Sequence, residues 1–109
     1  MLMGTSYEAR MQQLRAGGRL NSRVPLIVEW VEGGQKHTEA GYTVDVSPKG
    51  CLAIVPQGFA VGQRLRLLNK VTGRAAEAIL IWRGHEGRRG WELGLELQAP
   101  PEDFWGVEL

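Results

Sequence analysis

The stretch VPLIVEWVEGGQKHTEAGYTVDVSPKG, residues 24–50, decides the fold. Its first nine residues, VPLIVEWVE, are rich in β-branched and aromatic side chains, the composition of a strand. Gly33 and Gly34 turn the chain. HTEAGYTVDV follows, and its second half alternates, with Tyr42, Val44 and Val46 on one face and Thr43 and Asp45 on the other. SPKG is a second turn. If the two strands pair as a hairpin, their outer ends meet. Residue 23, just before the first strand, and residue 45, near the end of the second, are then expected at the same end of the sheet.

The same alternation continues outward. CLAIV (51–55) reads as a short buried strand closed by PQG. QRLRLLN (63–69) sets Leu65 and Leu67 against Arg64 and Arg66. RAAEAILIWRG (74–84) and WELGLEL (91–97) flank HEGRRG, read as a hairpin connection. Six strands at this short spacing predict an all-β fold, a six-stranded antiparallel barrel closed or nearly closed. Closure also removes exposed strand edges. At the C-terminal end, Pro100 and Pro101 are expected to open a short helical turn that brings Phe104 and Trp105 to plug one barrel end. Upstream, residues 6–15 fit a short N-terminal helix: Ser6 can cap it, Tyr7, Met11 and Leu14 make one apolar stripe, and Gly17 and Gly18 end it. The chain thus divides into an N-terminal arm, residues 1–18, and one barrel domain, residues 19–109.

The composition fits one globular domain: 109 residues, 43% hydrophobic and 23% charged, with a net charge of +1. That charge is too small for a non-specific nucleic-acid binder, so no DNA partner is expected. It is unevenly spread. Residues 1–23 hold Arg10, Arg15, Arg19 and Arg23 against Glu8 alone, and residues 92–109 carry only acids, so an anionic partner should favour the N-terminal end. The single cysteine, Cys51, points to a reducing compartment. No segment suits a membrane span or a signal peptide, so membrane insertion is not expected and a cytoplasmic location is.

Enzyme signatures are missing. His37 and His85 stand far apart in sequence, each near a turn, and no second His or Cys completes a metal set with Glu39 or Glu86. No glycine-rich phosphate loop leads into a helix. No catalysis and no cofactor are expected. Two constellations remain. Arg19 and Arg23 are spaced Arg-x-x-x-Arg before the first strand. Asp45, Ser47 and Gly50 form Asp-x-Ser-x-x-Gly at the end of the second. Each alone also fits a plain structural role, the first a solvated basic linker and the second a turn built by Asp and Ser hydrogen bonds to their own backbone.

In order, RLNSRVP, TVDVSPKG, ILIWRG and ELGLEL resemble a PilZ domain over about residues 19–105. PilZ domains are bacterial receptors for the second messenger cyclic di-GMP, built on a six-stranded antiparallel barrel with a helical tail, and the two spaced motifs are the family's ligand signature. The resemblance implies nucleotide binding: Arg19 and Arg23 on phosphate and guanine, and Asp45, Ser47 and Gly50 on the opposite wall. It also implies signalling through a downstream protein, with no reaction catalysed. Gly18 stands where many members carry another basic residue, which leaves one or two bound ligand molecules open. A homodimer is compatible with the sequence. The chemistry suits these residues. Arginine forks onto phosphate and onto the acceptor edge of guanine, and a carboxylate accepts from guanine's ring amide and amino donors together, an edge that adenine lacks. The alternatives are a PilZ-like adaptor without ligand and a small nucleic-acid-binding barrel.

Overall fold

A computed structural model describes residues 20–106 of the chain. Its elements are β1 (Leu20–Asn21), β2 (Pro25–Glu32), β3 (Gln35–Ser47), β4 (Gly50–Val55), β5 (Arg64–Asn69), β6 (Ala75–Gly87) and β7 (Gly90–Gln98). Strands β2 to β7 form a closed six-stranded antiparallel barrel in the order β3-β2-β5-β6-β7-β4, closed by β4 pairing back onto β3. The two-residue β1 lies against the end of β3, with Leu20 opposite Val46 and Asn21 opposite Asp45. The β2–β3 hairpin turns on Gly33 and Gly34, whose φ values of +61° and +77° suit a tight turn that other residues resist.

Alternation fills the barrel. Leu26 and Val28 of β2, Leu65 and Leu67 of β5, Ala78 and Leu80 of β6, and Leu93 and Leu95 of β7 are all at most 1% exposed. Both ends are plugged by aromatic rings. At one, Phe59 packs edge-on to Trp30 with centroids 4.8 Å apart. At the other, Phe104 and Trp105 are buried and meet edge-to-face at 4.7 Å. The buried Asn69 ties this second plug down: its amide donates to the Phe104 carbonyl at 2.9 Å, and its Oδ1 accepts from the Val71 N–H at 2.8 Å. Trp105 donates from Nε1 to the Ser47 carbonyl at 2.8 Å.

The fold departs from the sequence expectations in three places. The tail is not helical over residues 101–106. It makes two separate turns, Phe104 N–H to the Pro101 carbonyl and Gly106 N–H to the Asp103 carbonyl. Asp103 has φ +60°, which breaks helical geometry between them. HEGRRG is mostly strand: β6 runs to Gly87, and only Arg88 and Arg89 form the turn to Gly90. In β3 a bulge falls between Thr43 and Asp45, which overturns the expected Tyr42–Val44–Val46 face. The expected helix over residues 6–15 lies outside the described residues, as do the whole arm and Arg19. No helix among the described residues is long and apolar enough to cross a membrane.

Candidate functional site

The bulge builds the site. Before it, Thr43 pairs with Ala53 and faces the core; after it, Val46 pairs with the buried Cys51. Val44 is the extra residue and stands 42% exposed. Tyr42, opposite Ile54, and Asp45, opposite Leu52, therefore share the outer face although three residues separate them. In an unbroken strand that spacing would put them on opposite faces. Ser47, two residues beyond Asp45, falls on the same face and pairs with Gly50. A bulge that re-aims side chains in this way is a common device beside binding sites.

Register then lines up a row across four strands. Asp45 lies opposite Leu52, Leu52 opposite Gly94, and Gly94 opposite Trp82. Three inter-strand steps make the row about 14 Å long. An acid stands at one end and an indole at the other. The Trp82 ring lies along its own strand, over Gly84: a Cβ added to Gly84 would come within 2.3 Å of that ring. Trp82 reaches the outer face because the β6–β7 pairing slips at Ile81, between Leu80 and Trp82. A parallel row runs Ser47–Gly50–Glu96–Ile79. Gly94 in the first row and Gly50 in the second carry no side chain, and both are buried.

Arg23 joins this face from the side. Its guanidinium lies 4.0 Å from the centre of the Tyr42 ring, a cation–π contact. The segment carrying it is pinned by Thr43, whose hydroxyl accepts from the Val24 N–H at 2.8 Å and donates to the Ser22 carbonyl. The Ser22 N–H also donates to the Val44 carbonyl at 3.3 Å. The hairpin expectation for Arg23 and Asp45 thus agrees with the register: the two sit at one end of the sheet. Asp45 and Ser47 are only 6% and 2% exposed. Burial pushes the Cys51 thiol well above its usual range, and the Asp45 charge adds to the rise.

Gly50 opens a strand and is matched to Ser47 on one side and Glu96 on the other. Among the described residues, the Ser47 hydroxyl makes one long 3.4 Å bond, to the Gly50 carbonyl. Sequence reasoning missed Tyr42, Trp82 and Gly94. A glycine inside WELGLEL was the available signal, because a mid-strand glycine marks a close approach. Trp82, opposite Gly94, is an outer-face residue. His37 is not a free turn residue; it lies opposite Trp30 in β2 and stacks on it at 5.5 Å.

On the β2–β5 side, a groove of about 470 Å³ includes Glu29, Trp30, Lys36 and Arg66. Its charges serve one another: Glu29 binds Arg66 at 3.0 Å and Lys36 at 3.5 Å. Among the described residues, no group of three or more His, Cys, Asp or Glu side chains is placed to hold a metal ion. Compared with known proteins, the chain matches no family model, no curated protein and no solved structure.

Proposed function

We propose that the outer face of β3, β4, β7 and β6 binds cyclic di-GMP in the manner of a PilZ receptor, and that binding is passed to a protein partner without catalysis. The observation that carries this reading is the row Asp45–Leu52–Gly94–Trp82 with Arg23 poised at its flank. Asp45 and Ser47, buried at one end of the row, can take a guanine's donor edge once that end opens; Leu52 and Gly94 lie between, and Trp82 offers an aromatic plane at the other end. Arg23 supplies a fork for phosphate, and Arg19, four residues upstream, supplies the second guanidinium of the motif. Four or five charge-assisted hydrogen bonds at roughly 1.5–3 kcal/mol each cover the ~8 kcal/mol of a micromolar constant. They must also offset the ordering of the arginine segment, at about 1–2 kcal/mol per residue.

Calorimetry tests this reading. Cyclic di-GMP should bind saturably, cyclic di-AMP should bind at least about tenfold more weakly, and Arg23→Ala should lose about tenfold or more, one charge-assisted contact. Equal affinity for the two dinucleotides, or an unchanged constant in Arg23→Ala, refutes it.

The outward rings of Tyr42 and Trp82 also favour a second reading, a single-stranded nucleic acid laid along the same face. Glu92 and Glu96 stand in that track and oppose a continuous phosphate backbone. Binding of an oligoribonucleotide that falls steeply with salt would select this second reading.

A further inference from the structure

The outer face does not end at Tyr42. The next row runs Tyr42–Ile54–Glu92 across β3, β4 and β7. Beyond it, the β6–β7 hairpin outruns β4, so its tip projects past the end of the shorter strand. Between them lies an open pocket of about 500 Å³, in the size range of small-molecule sites. Tyr42 and Ile54 line one side, His85, Arg88 and Arg89 the other, and Glu92 completes it.

We infer that this pocket is a separate binding site for a phosphorylated planar ligand of the nucleoside monophosphate class. It shares Tyr42 with the face described above but none of the motif residues, and it does not depend on cyclic di-GMP being the ligand there.

Three features carry the inference. The first is charge. Arg88 and Arg89 are always protonated, both line the same hollow, and His85 lies beside them, against the single carboxylate of Glu92. Glu86 pairs with Trp91 and is not part of the lining. A phosphate takes two guanidinium forks well. The second is the floor. Tyr42 and Ile54 give a half-buried apolar surface on which a base can rest, and the Tyr42 ring already holds Arg23 at 4.0 Å. Glu92 Oε1 lies toward Gly84, 2.8 Å from where a Gly84 Cβ would stand, and offers an acceptor for ring or amino N–H groups.

The third feature is anchoring. Arginines on a free loop tip lose much of their binding energy to ordering. Here the tip is fixed at its base, because Gly90 packs so tightly on β4 that a Cβ would meet the Val55 carbonyl oxygen at 2.6 Å. Its φ of +135° is likewise open to glycine and strained for other residues.

The test is a titration of ¹⁵N-labelled protein with 5′-GMP, 5′-AMP and inorganic phosphate, followed by amide chemical shifts. GMP should give saturating shifts at Tyr42, Ile54, His85 and Arg88 to Gly90. Phosphate alone should move the Arg88–Gly90 amides and leave Ile54 in place. AMP reports whether Glu92 selects the ring. An Arg88→Ala/Arg89→Ala variant should weaken GMP binding about tenfold or more, the loss of at least one charge-assisted contact. Because both residues are exposed turn positions, the variant should fold, and an unchanged spectrum away from the tip checks this. The inference is overturned if GMP moves none of these amides, or if their shifts persist undiminished in the double variant. Shifts confined to Asp45, Ser47 and Gly50 would also overturn it while leaving the motif face standing. Shifts confined to the hairpin, as expected for phosphate alone, would show that no base rests on Tyr42 and Ile54 and would likewise overturn it.

Discussion

Replacing Thr43 by valine should loosen the segment that carries Arg23 while keeping the shape of the core. The hydroxyl makes two bonds, accepting from the Val24 N–H at 2.8 Å and donating to the Ser22 carbonyl. Val24 is 6% exposed, so its amide cannot turn to bulk water when the acceptor is removed. A buried donor left without a partner costs about 1–3 kcal/mol, and the second bond adds about 1 kcal/mol. Valine fits the volume, which leaves the cavity contribution small. The expected loss is roughly 2–4 kcal/mol, a large share of the stability of a domain this size. Near the midpoint this is a fall of roughly 10–20 °C. Urea denaturation followed by tryptophan fluorescence measures the loss, and hydrogen exchange locates it. The Val24 amide should exchange much faster, whereas Leu26, held by the sheet, should change only with global stability. A loss under about 0.5 kcal/mol, with Val24 still protected, would show that Thr43 does not pin this segment.

Other consequences are open to direct measurement. Cys51 is buried beside the Asp45 charge, both of which hold the thiol protonated, so the native protein should resist an aromatic disulfide reagent and react fully in urea; rapid native reaction contradicts the burial. Asn69→Ala removes the donor to Phe104 and the acceptor for Val71 and should cost about 2–4 kcal/mol by thermal melting. Burial pushes the Glu29 carboxyl up, but the Arg66 hydrogen bond and the Lys36 charge outweigh it and leave it below the ordinary value. Its contribution is therefore complete above the ordinary carboxylate range and is lost as pH falls through the lowered folded value. Wild type should exceed Glu29→Gln by under about 1 kcal/mol at neutral pH, with the gap closing in acid; a gap that widens in acid reverses the sign.

The strands were legible because the inward leucines of β7 alternate with Glu92, Gly94 and Glu96, and Leu65 and Leu67 of β5 flank Arg66, and two-residue periodicity survives any barrel closure. The shared end of Arg23 and Asp45 was legible for a similar reason: a hairpin fixes which ends meet. The faces were less legible. One inserted residue, Val44, sends Tyr42 and Val46 to opposite sides, and nothing in TVDV distinguishes a bulge from a regular strand. The slip at Ile81 likewise carries Trp82 outward, although ILIWRG reads as a buried run. The Asp45–Trp82 row depends on three registers across strands distant in sequence, none of them fixed by local composition. The tail was misread because Pro100 and Pro101 announce a helical start, while the φ of +60° at Asp103 that stops it carries no strong signal in an aspartate.

The central claim is that a guanine nucleotide lies along the row from Asp45 to Trp82. Isotope-filtered NOE spectra of the labelled protein with unlabelled cyclic di-GMP address it most directly. The account predicts contacts from guanine protons to the Leu52 methyl groups and the Trp82 indole, abolished in Arg23→Ala at the same ligand concentration. No complex at millimolar dinucleotide, or a saturated complex whose contacts all lie away from that row, contradicts it.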